Sequence, residues 1–427
     1  MRKLAQTAAV LAIVCATGTP HLSAQPPKEY DARTERLPGL TKADLALLES
    51  QLQSGPVGLI EFADTEQGEL PGINLAAIVH APANTLMALV QKPESYPRFM
   101  RTLDEVEIVH RDAGAVVYDW RWQMSLLSLG GRNAMTVYPP PPTRPELGHR
   151  VTIDSQSGDF GVGRISLRVL PRAARESLLV VSMRLDLRTA NYVARRLARA
   201  ARSINRSANM SLAYTMLLSF RREAEVRAGH APPARAASAL HKPALDPRAA
   251  VPLLVRGDLV LLDMTGDRLN QISVLGLINR QRSLVREVMV DTDAFGSALM
   301  PGSEATVVDR RDGVTTFDWD IDLPLVGVSG RMRMREGDSI VAVDAIDGAL
   351  RGGRWNFETA ELSRDATMIT GWASFDLRNS SWFLRALTDA DPYLGHGMTA
   401  ASQVMLMRAL RSRANKRAEQ QLARTQQ

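Results

Sequence analysis

The chain aligns with itself. At a shift of 199 residues Ile73–Met135 lies on Ile272–Met334 without a gap, and nine identities fall among the 28 positions from Glu105 to Arg132, where unrelated sequence gives about two. Asp119-Trp120 recurs as Asp318-Trp319, and Gly131-Arg132 as Gly330-Arg331. Further on the shift falls to 190, pairing Gly163-Arg164 with Gly353-Arg354 and Asp186-Leu187-Arg188 with Asp376-Leu377-Arg378. The first copy thus holds nine extra residues, around Pro139-Pro140-Pro141-Pro142, a run without backbone donors that reads as a surface loop. One architecture used twice is the expectation.

The rest of the chain divides around the two copies. Residues 1–24 read as a cleaved export leader: Met1-Arg2-Lys3 is positive, Leu4–Val14 is apolar but too short to span a bilayer, and Leu22-Ser23-Ala24 ends in small residues. The mature protein is expected to be soluble and periplasmic or otherwise extracytoplasmic. A helical lead-in covers 25–56, the first domain 57–228, a Pro/Ala-rich semi-stiff linker 229–254, the second domain 255–418 and a tail 419–427. Apolar residues make up 45% of the chain, enough for a core in each copy.

Each copy reads as α+β. Asn74–His80 has strand composition, Pro82 opens a helix with Leu86, Leu89 and Val90 on one face, and after Met100 the apolar period changes to two. Val116, Tyr118, Trp120, Trp122 and Met124 alternate with polar residues; Thr315, Phe317, Trp319, Ile321 and Leu323 do the same in the second copy. A turn between Pro324 and Ser329 would set Asp322 opposite Arg331, Asp320 opposite Arg333 and Asp318 opposite Arg335 on the outer face. Strands near Ile165–Leu170 and Leu179–Leu187 complete a sheet of about six or seven, and a long helix follows from Tyr192.

The string His80-Ala81-Pro82, the apolar helix, Tyr96-Pro97-Arg98-Phe99, the strands and the closing helix resemble the START-related helix-grip superfamily, in its polyketide-cyclase and coenzyme-Q-binding branch. The second copy has Asn279-Arg280-Gln281 and Phe295-Gly296 at those motifs and joins the resemblance through the duplication. The resemblance implies, for each copy, a curved antiparallel sheet gripping its last helix around a cavity for lipids, sterols, quinones or polyketides. It implies no single reaction.

On this layout the inward residues of the first copy are Tyr118, Trp120, Trp122, Asn133, Met135, Ile165, Leu167, Met183 and Leu185, with Met210 and Tyr214 from the helix. Those of the second are Phe317, Trp319, Trp355 and Phe357. Aromatic area, adaptable methionines and a few polar tips suit a flat or flexible apolar ligand, and equally a plain core. The first copy keeps polar tips at Tyr118, Asn133 and Tyr214; Phe317, Met332 and Ser402 replace them in the second, so any polar recognition is expected in the first copy and a drier pocket in the second.

Other chemistry is poorly represented. Removal of Cys15 with the leader leaves no cysteine, which excludes thiol catalysis, disulfides and cysteine zinc sites. The seven histidines form no His-Glu-x-x-His or nucleophile-elbow pattern; no metal and no cofactor are expected. The formal charge of +6 falls to +4 once Arg2 and Lys3 leave with the leader, too mild to imply nucleic acid. Residues 193–206 form a basic amphipathic segment that could rest on a membrane surface. The leading expectation is an exported carrier or sensor of a hydrophobic small molecule, with a cyclase/dehydratase-like enzyme and a non-catalytic envelope scaffold as alternatives.

Overall fold

Strands dominate both repeats because apolar residues recur every second position on long stretches and as unbroken runs on short ones. The computed structural model describes residues 39–62, 72–112, 114–124, 127–140, 145–189, 202–231, 239–292, 295–297, 299, 302–323 and 326–425. Residues 1–24, expected from the sequence to be an export leader, with Cys15 among them, and most of the basic segment 193–206 lie outside them. In the first repeat the strands are β1 (Val57–Glu61), β2 (Ile73–Val79), β3 (Leu103–Asp112), β4 (Ala115–Met124), β5 (Leu127–Tyr138), β6 (His149–Gly158), β7 (Val162–Ala173) and β8 (Glu176–Asp186). In the second they are β9 (Gly257–Thr265), β10 (Arg268–Ile278), β11 (Ser303–Arg311), β12 (Val314–Leu323), β13 (Val326–Glu336), β14 (Ile340–Gly348), β15 (Arg354–Ser363) and β16 (Ala366–Ser374). Each repeat therefore supplies eight described strands, more than the six or seven expected, because the short runs Val57–Glu61 and Gly257–Thr265 are strands too.

The helices are α1 (Lys42–Leu47), α2 (Glu49–Ser54), α3 (Ala83–Val90), α4 (Arg202–Arg227), α5 (Pro247–Leu254), α6 (Arg282–Met289), α7 (Trp382–Ala390) and α8 (Pro392–Thr425). The 26-residue α4 and 34-residue α8 are the gripped helices of the two repeats. All these elements fall in one compact unit, Asp31–Gln427.

The two sheets are one. Their sixteen strands run β11-β12-β13-β14-β15-β16-β10-β9-β1-β2-β8-β7-β6-β5-β4-β3, joined where β1 pairs antiparallel with β9. Leu259 pairs with Leu275 as Val57 pairs with Ala76, and Ala76 and Leu275 correspond at the shift of 199, so Gly58 and Val260 are equivalent positions. They face each other across the seam. The join is thus a pseudo-twofold contact, extended at its two ends by matching hydrogen bonds from Leu262 N–H to the Pro56 carbonyl and from Phe62 N–H to the Arg256 carbonyl, both 2.9 Å. Pairing removes the two bare strand edges that separate domains would expose.

The seam is buried on both sides: every residue of VGLIE and INLAAIV is buried, and only Glu61 and Asn74 interrupt their apolar composition. Grip helices cover one face. On the other, Leu48 at the N-cap of α2 and Leu52 within it pack with Ala250, Leu253 and Leu254 of α5 against Leu59, Leu259 and Ile78. Residues 247–254, read in the sequence as the end of the linker, are instead this helix: Asp246 accepts from Arg248 N–H as the N-cap, Pro247 takes the first turn, and the apolar face is buried.

The recurring dipeptides have a common geometry. Trp120 sits opposite Gly131 and Trp319 opposite Gly330, and a Cβ on Gly131 would fall 2.9 Å from the Trp120 ring. On the outer face of the adjacent rungs Arg132 donates to Asp119 at 2.6 Å, and Arg331 to Asp318 at 2.6 Å. Each repeat thus spends one rung on a ring laid over glycine and the next on an ion pair.

The expected aspartate ladder is corrected. Leu323 pairs directly with Val326, and Asp318 faces Arg331, Asp320 faces Ser329 and Asp322 faces Gly327. The displacement is four residues, an even number, so the inward and outward faces stay as read. Arg335 reaches the next strand instead and binds Asp344 at 2.6 Å. The nine-residue insertion does lie between β5 and β6, where Tyr138 and His149 bound a loop that Glu336 and Ile340 bound in the second repeat.

Two outcomes test the seam. A Cβ on Gly257 would lie 2.8 Å from Glu61 Cα, whereas one on Gly327 meets nothing within 4 Å. Gly257→Ala should lower the unfolding free energy by about 1–3 kcal/mol in urea, and Gly327→Ala should change it by less than about 0.5 kcal/mol. Glu61 at the end of β1 is 5% exposed, and burial raises its carboxyl to about 7 against the pull of Arg256 and Arg184. The folded state therefore keeps this proton to higher pH than the unfolded chain does, and stability is lost as pH rises from the ordinary carboxylate range through 7. Glu61→Gln should leave the midpoint unchanged near pH 4 and raise stability by about 2 kcal/mol at pH 8.5.

Candidate functional site

A cavity of about 460 Å³ lies between the gripped helices and the hairpin tips of both repeats. Its walls respect the duplication. Trp122 and Leu129 from the β4–β5 hairpin border it together with their counterparts Ile321 and Val328 from β12–β13, and Phe160 borders it together with its counterpart Leu350. From α4 come Ser207, Ser211 and Leu212; from α8 come Leu394, Met398, Ala401, Ser402, Gln403, Met405 and Leu406. The helices meet at the floor, where Ser207 Oγ lies 3.5 Å from Met405 Sδ. Helix α7 closes another side with Leu384 and Leu387, its first turn capped by the Ser381 hydroxyl accepting from Leu384 N–H.

The lining is apolar apart from four serines and Gln403, and none of the lining residues is charged. Ser402 already donates to the Thr399 carbonyl at 2.8 Å. Such a site binds by shape and dispersion, with a hydroxyl or amide fixing orientation.

A smaller cavity of about 60 Å³ lies in the first repeat, sharing Trp122, Phe160 and Leu212 with the larger one as a partition. Tyr118, Trp120, Asn133, Ile165 and Leu185 border it, as the sequence reading placed them inward. The difference in size has a local cause. Phe160 stacks on Trp120 with centroids 5.4 Å apart and meets Trp122 edge-on at 5.4 Å, filling space that Leu350 and Ile321 leave open in the second repeat. The polar tips also satisfy one another: Asn133 donates to the Tyr118 hydroxyl at 3.2 Å. Burial raises the Tyr118 phenol well above its usual range, and the Asn133 hydrogen bond offsets this in part.

Not every inward residue reaches a cavity. Met135, Leu167, Met183, Met210 and Tyr214 are fully buried in the core and border neither space. Tyr214 instead lies beneath β1, its hydroxyl 3.1 Å from where a Gly58 Cβ would stand. In the second repeat Trp319 and Trp355 line the large cavity, while Phe317 and Phe357 stand behind Phe295, at ring distances of 5.5 and 6.3 Å. The expectation of a polar first pocket and a drier second one is thus answered by size: most of the space is on the dry side.

Sequence reasoning missed the contribution of α7, Phe295, Leu299 and Phe375, whose positions follow from tertiary closure. It also missed a polar crevice of about 110 Å³ between the repeats, where His80, Arg221, Arg222, Glu225, His230, Asp267 and Tyr393 meet. The His80 and His230 rings are 4.5 Å apart, and burial lowers His80 below the usual imidazole range. The charges there are internally matched: Arg221 binds Glu225 at 3.1 Å, Arg222 binds Asp267 at 3.3 Å, and Tyr393 donates to Asp267 at 2.8 Å. Among the described residues no group of histidines and acids could hold a metal.

Residues 79–209 match the family model described as polyketide cyclase / dehydrase and lipid transport. The match covers the first repeat from the end of β2 into α4. Within the second, strand registers repeat those of the first rung by rung, including the break after Arg132 and after Arg331. Among solved structures the chain is similar to the di-domain ARO/CYC StfQ from the steffimycin biosynthetic pathway, at 12% identity over 81% of this chain and 99% of that one, TM-score 0.27. It is similar to the Zhui aromatase/cyclase from Streptomyces sp. R1128, at 15% identity over 38% and 98%, TM-score 0.29. It is also similar to a STAR-related lipid transfer protein fragment from Xanthomonas axonopodis, at 11% identity over 40% and 94%, TM-score 0.31. No curated protein sequence matches the chain.

If Trp122 and Phe160 are what close the first half, giving them the residues of the second half should open it. Trp122→Ile with Phe160→Leu should lose about 2–4 kcal/mol of stability in urea and raise the uptake of a fluorescent apolar probe such as N-phenylnaphthylamine. Unchanged uptake would assign the closure to other residues.

Proposed function

We propose that this is an exported binding or carrier protein for an uncharged, apolar small molecule such as a lipid, sterol or quinone, held in the cavity between its two helix-grip repeats. One observation carries the reading: about 460 Å³ of space bounded by apolar side chains, four serines and an amide, with no charge among the lining residues. A bare carboxylate or phosphate would lose its hydration there without gaining a partner, whereas an apolar body with a hydroxyl or carbonyl loses little and can meet a serine or Gln403. The family description spans cyclases and lipid transport; cyclisation draws on a positioned acid or base, and serines and an amide suit holding better than proton transfer. Export rests on the composition of residues 1–24.

Protein purified from its own cell envelope should release an uncharged apolar molecule on organic extraction, and native mass spectrometry should show the matching mass difference. Ala401→Phe, which puts a ring into the cavity, should abolish that adduct and weaken uptake of N-phenylnaphthylamine at least about tenfold, or about 1.4 kcal/mol. An empty protein from the native source that also takes up no probe would favour the scaffold alternative.

A further inference from the structure

The seam holds a cluster of charge that the apolar cavity does not use. Asp258 stands on β9 opposite Ile60, fully buried. Arg408 Nε donates to it at 3.0 Å and Arg411 at 2.5 Å, with their side chains 18% and 17% exposed. Arg408 also reaches the Glu61 carbonyl at 3.3 Å, and Arg411 the Leu277 carbonyl at 2.9 Å. Both guanidinium groups lie over the Phe62 ring, at 5.7 and 4.8 Å. Two cations thus divide one carboxylate.

A third cation joins them from α4. Arg206 is half-buried, its Nε is sealed from solvent without a hydrogen-bond partner, and no acid among the described residues lies in ion-pair reach of it. Arg408 and Arg411 repel it and only Asp258 attracts it, so that, with burial as the main cause, its guanidinium is pushed down to about 9. Among the described residues the remaining acid of the neighbourhood is Glu61, whose buried Oε1 is also unpartnered and which is half-protonated near neutral pH. Among the described residues, three arginines thus face one aspartate in a place where water is largely excluded.

A buried cation persists when something of opposite charge completes it, and guanidinium forks are shaped for oxyanions that accept two parallel hydrogen bonds. The alternative, a cluster held only by its own aspartate, leaves Arg206 Nε with a donor and no acceptor. Partial exposure of Arg408 and Arg411 leaves a route for a small group to enter.

We propose that Arg206, Arg408 and Arg411 form a binding site for an anionic oxygen group, a phosphate or carboxylate, at the junction of the two repeats. The site is separate from the apolar cavity: none of its three arginines lines that space, Arg408 and Arg411 lie further along α8 than the lining residues, and its ligand chemistry is opposite. The anion can be free, as inorganic phosphate, or the head of an anionic lipid.

The full-length mature protein should be unfolded thermally across a phosphate titration, with chloride balancing the ionic strength. Wild type should gain about 2 °C or more per tenfold phosphate, and Arg206→Met should gain nothing while unfolding at the same temperature or higher without phosphate. Arg206→Gln provides the same comparison if the methionine variant fails to fold. A second arm tests co-sedimentation with vesicles of phosphatidylcholine, with and without a minor share of phosphatidylglycerol. Arg206-dependent binding to the anionic vesicles, with no response to phosphate, would assign the site to a lipid headgroup; the reverse would assign it to a free anion. Equal responses of wild type and both variants in both arms would overturn the proposal.

Discussion

Five residues of β1 laid antiparallel against five of β9 set the terms for everything else in this molecule. Without that pairing each repeat would end in a bare strand edge beside a half-covered apolar face. With it, sixteen strands become one sheet, α2 and α5 close over its middle from one side, and α4 and α8 are brought together on the other. The cavity is a consequence of that closeness: its wall positions occur in equivalent pairs, Trp122 with Ile321, Leu129 with Val328 and Phe160 with Leu350, because it lies across the pseudo-twofold relation. The same closeness gathers Arg206 with Arg408 and Arg411, from helices that belong to different repeats.

The two halves diverged by side-chain volume. A tryptophan and a phenylalanine that stack on their neighbours fill the first half, while isoleucine and leucine at the same places leave the second half hollow. Two positions can change the capacity of such a fold without touching its hydrogen-bond ladder, since packing density inside a core is set residue by residue. The shared polar pair Tyr118–Asn133 of the first half is spent on itself, which removes it from ligand recognition and makes it part of a satisfied core.

Some of this was legible in the chain. The duplication, the alternating strands and the long closing helices were readable, because period two and period 3.6 are local properties. The recurrence of Asp-Trp and Gly-Arg at one shift marked the repeat; that the two dipeptides are direct cross-strand neighbours came from the tertiary structure. The outer register of β12 and β13 was misplaced by four residues, since charge matching permits several even shifts and the turn length selects one. The residues Tyr118, Trp120, Trp122, Asn133, Trp319 and Trp355 meet cavity space, whereas Met210 and Tyr214 do not, because which face of a long helix looks inward depends on the sheet it lies against.

What the sequence determined by itself was the unit and its repetition: strand faces, gripped helices and an apolar interior follow from residue order within each copy. Tertiary structure decided that the copies share one sheet and that the space lies between them. It also decided that Arg408 and Arg411 of the last helix converge on Asp258, 150 and 153 positions away in the chain. The physical reason is the same in each case. Local periodicity fixes what a segment can bury, but void volume and net buried charge are sums over residues hundreds of positions apart, and those sums exist only once β1 and β9 have met.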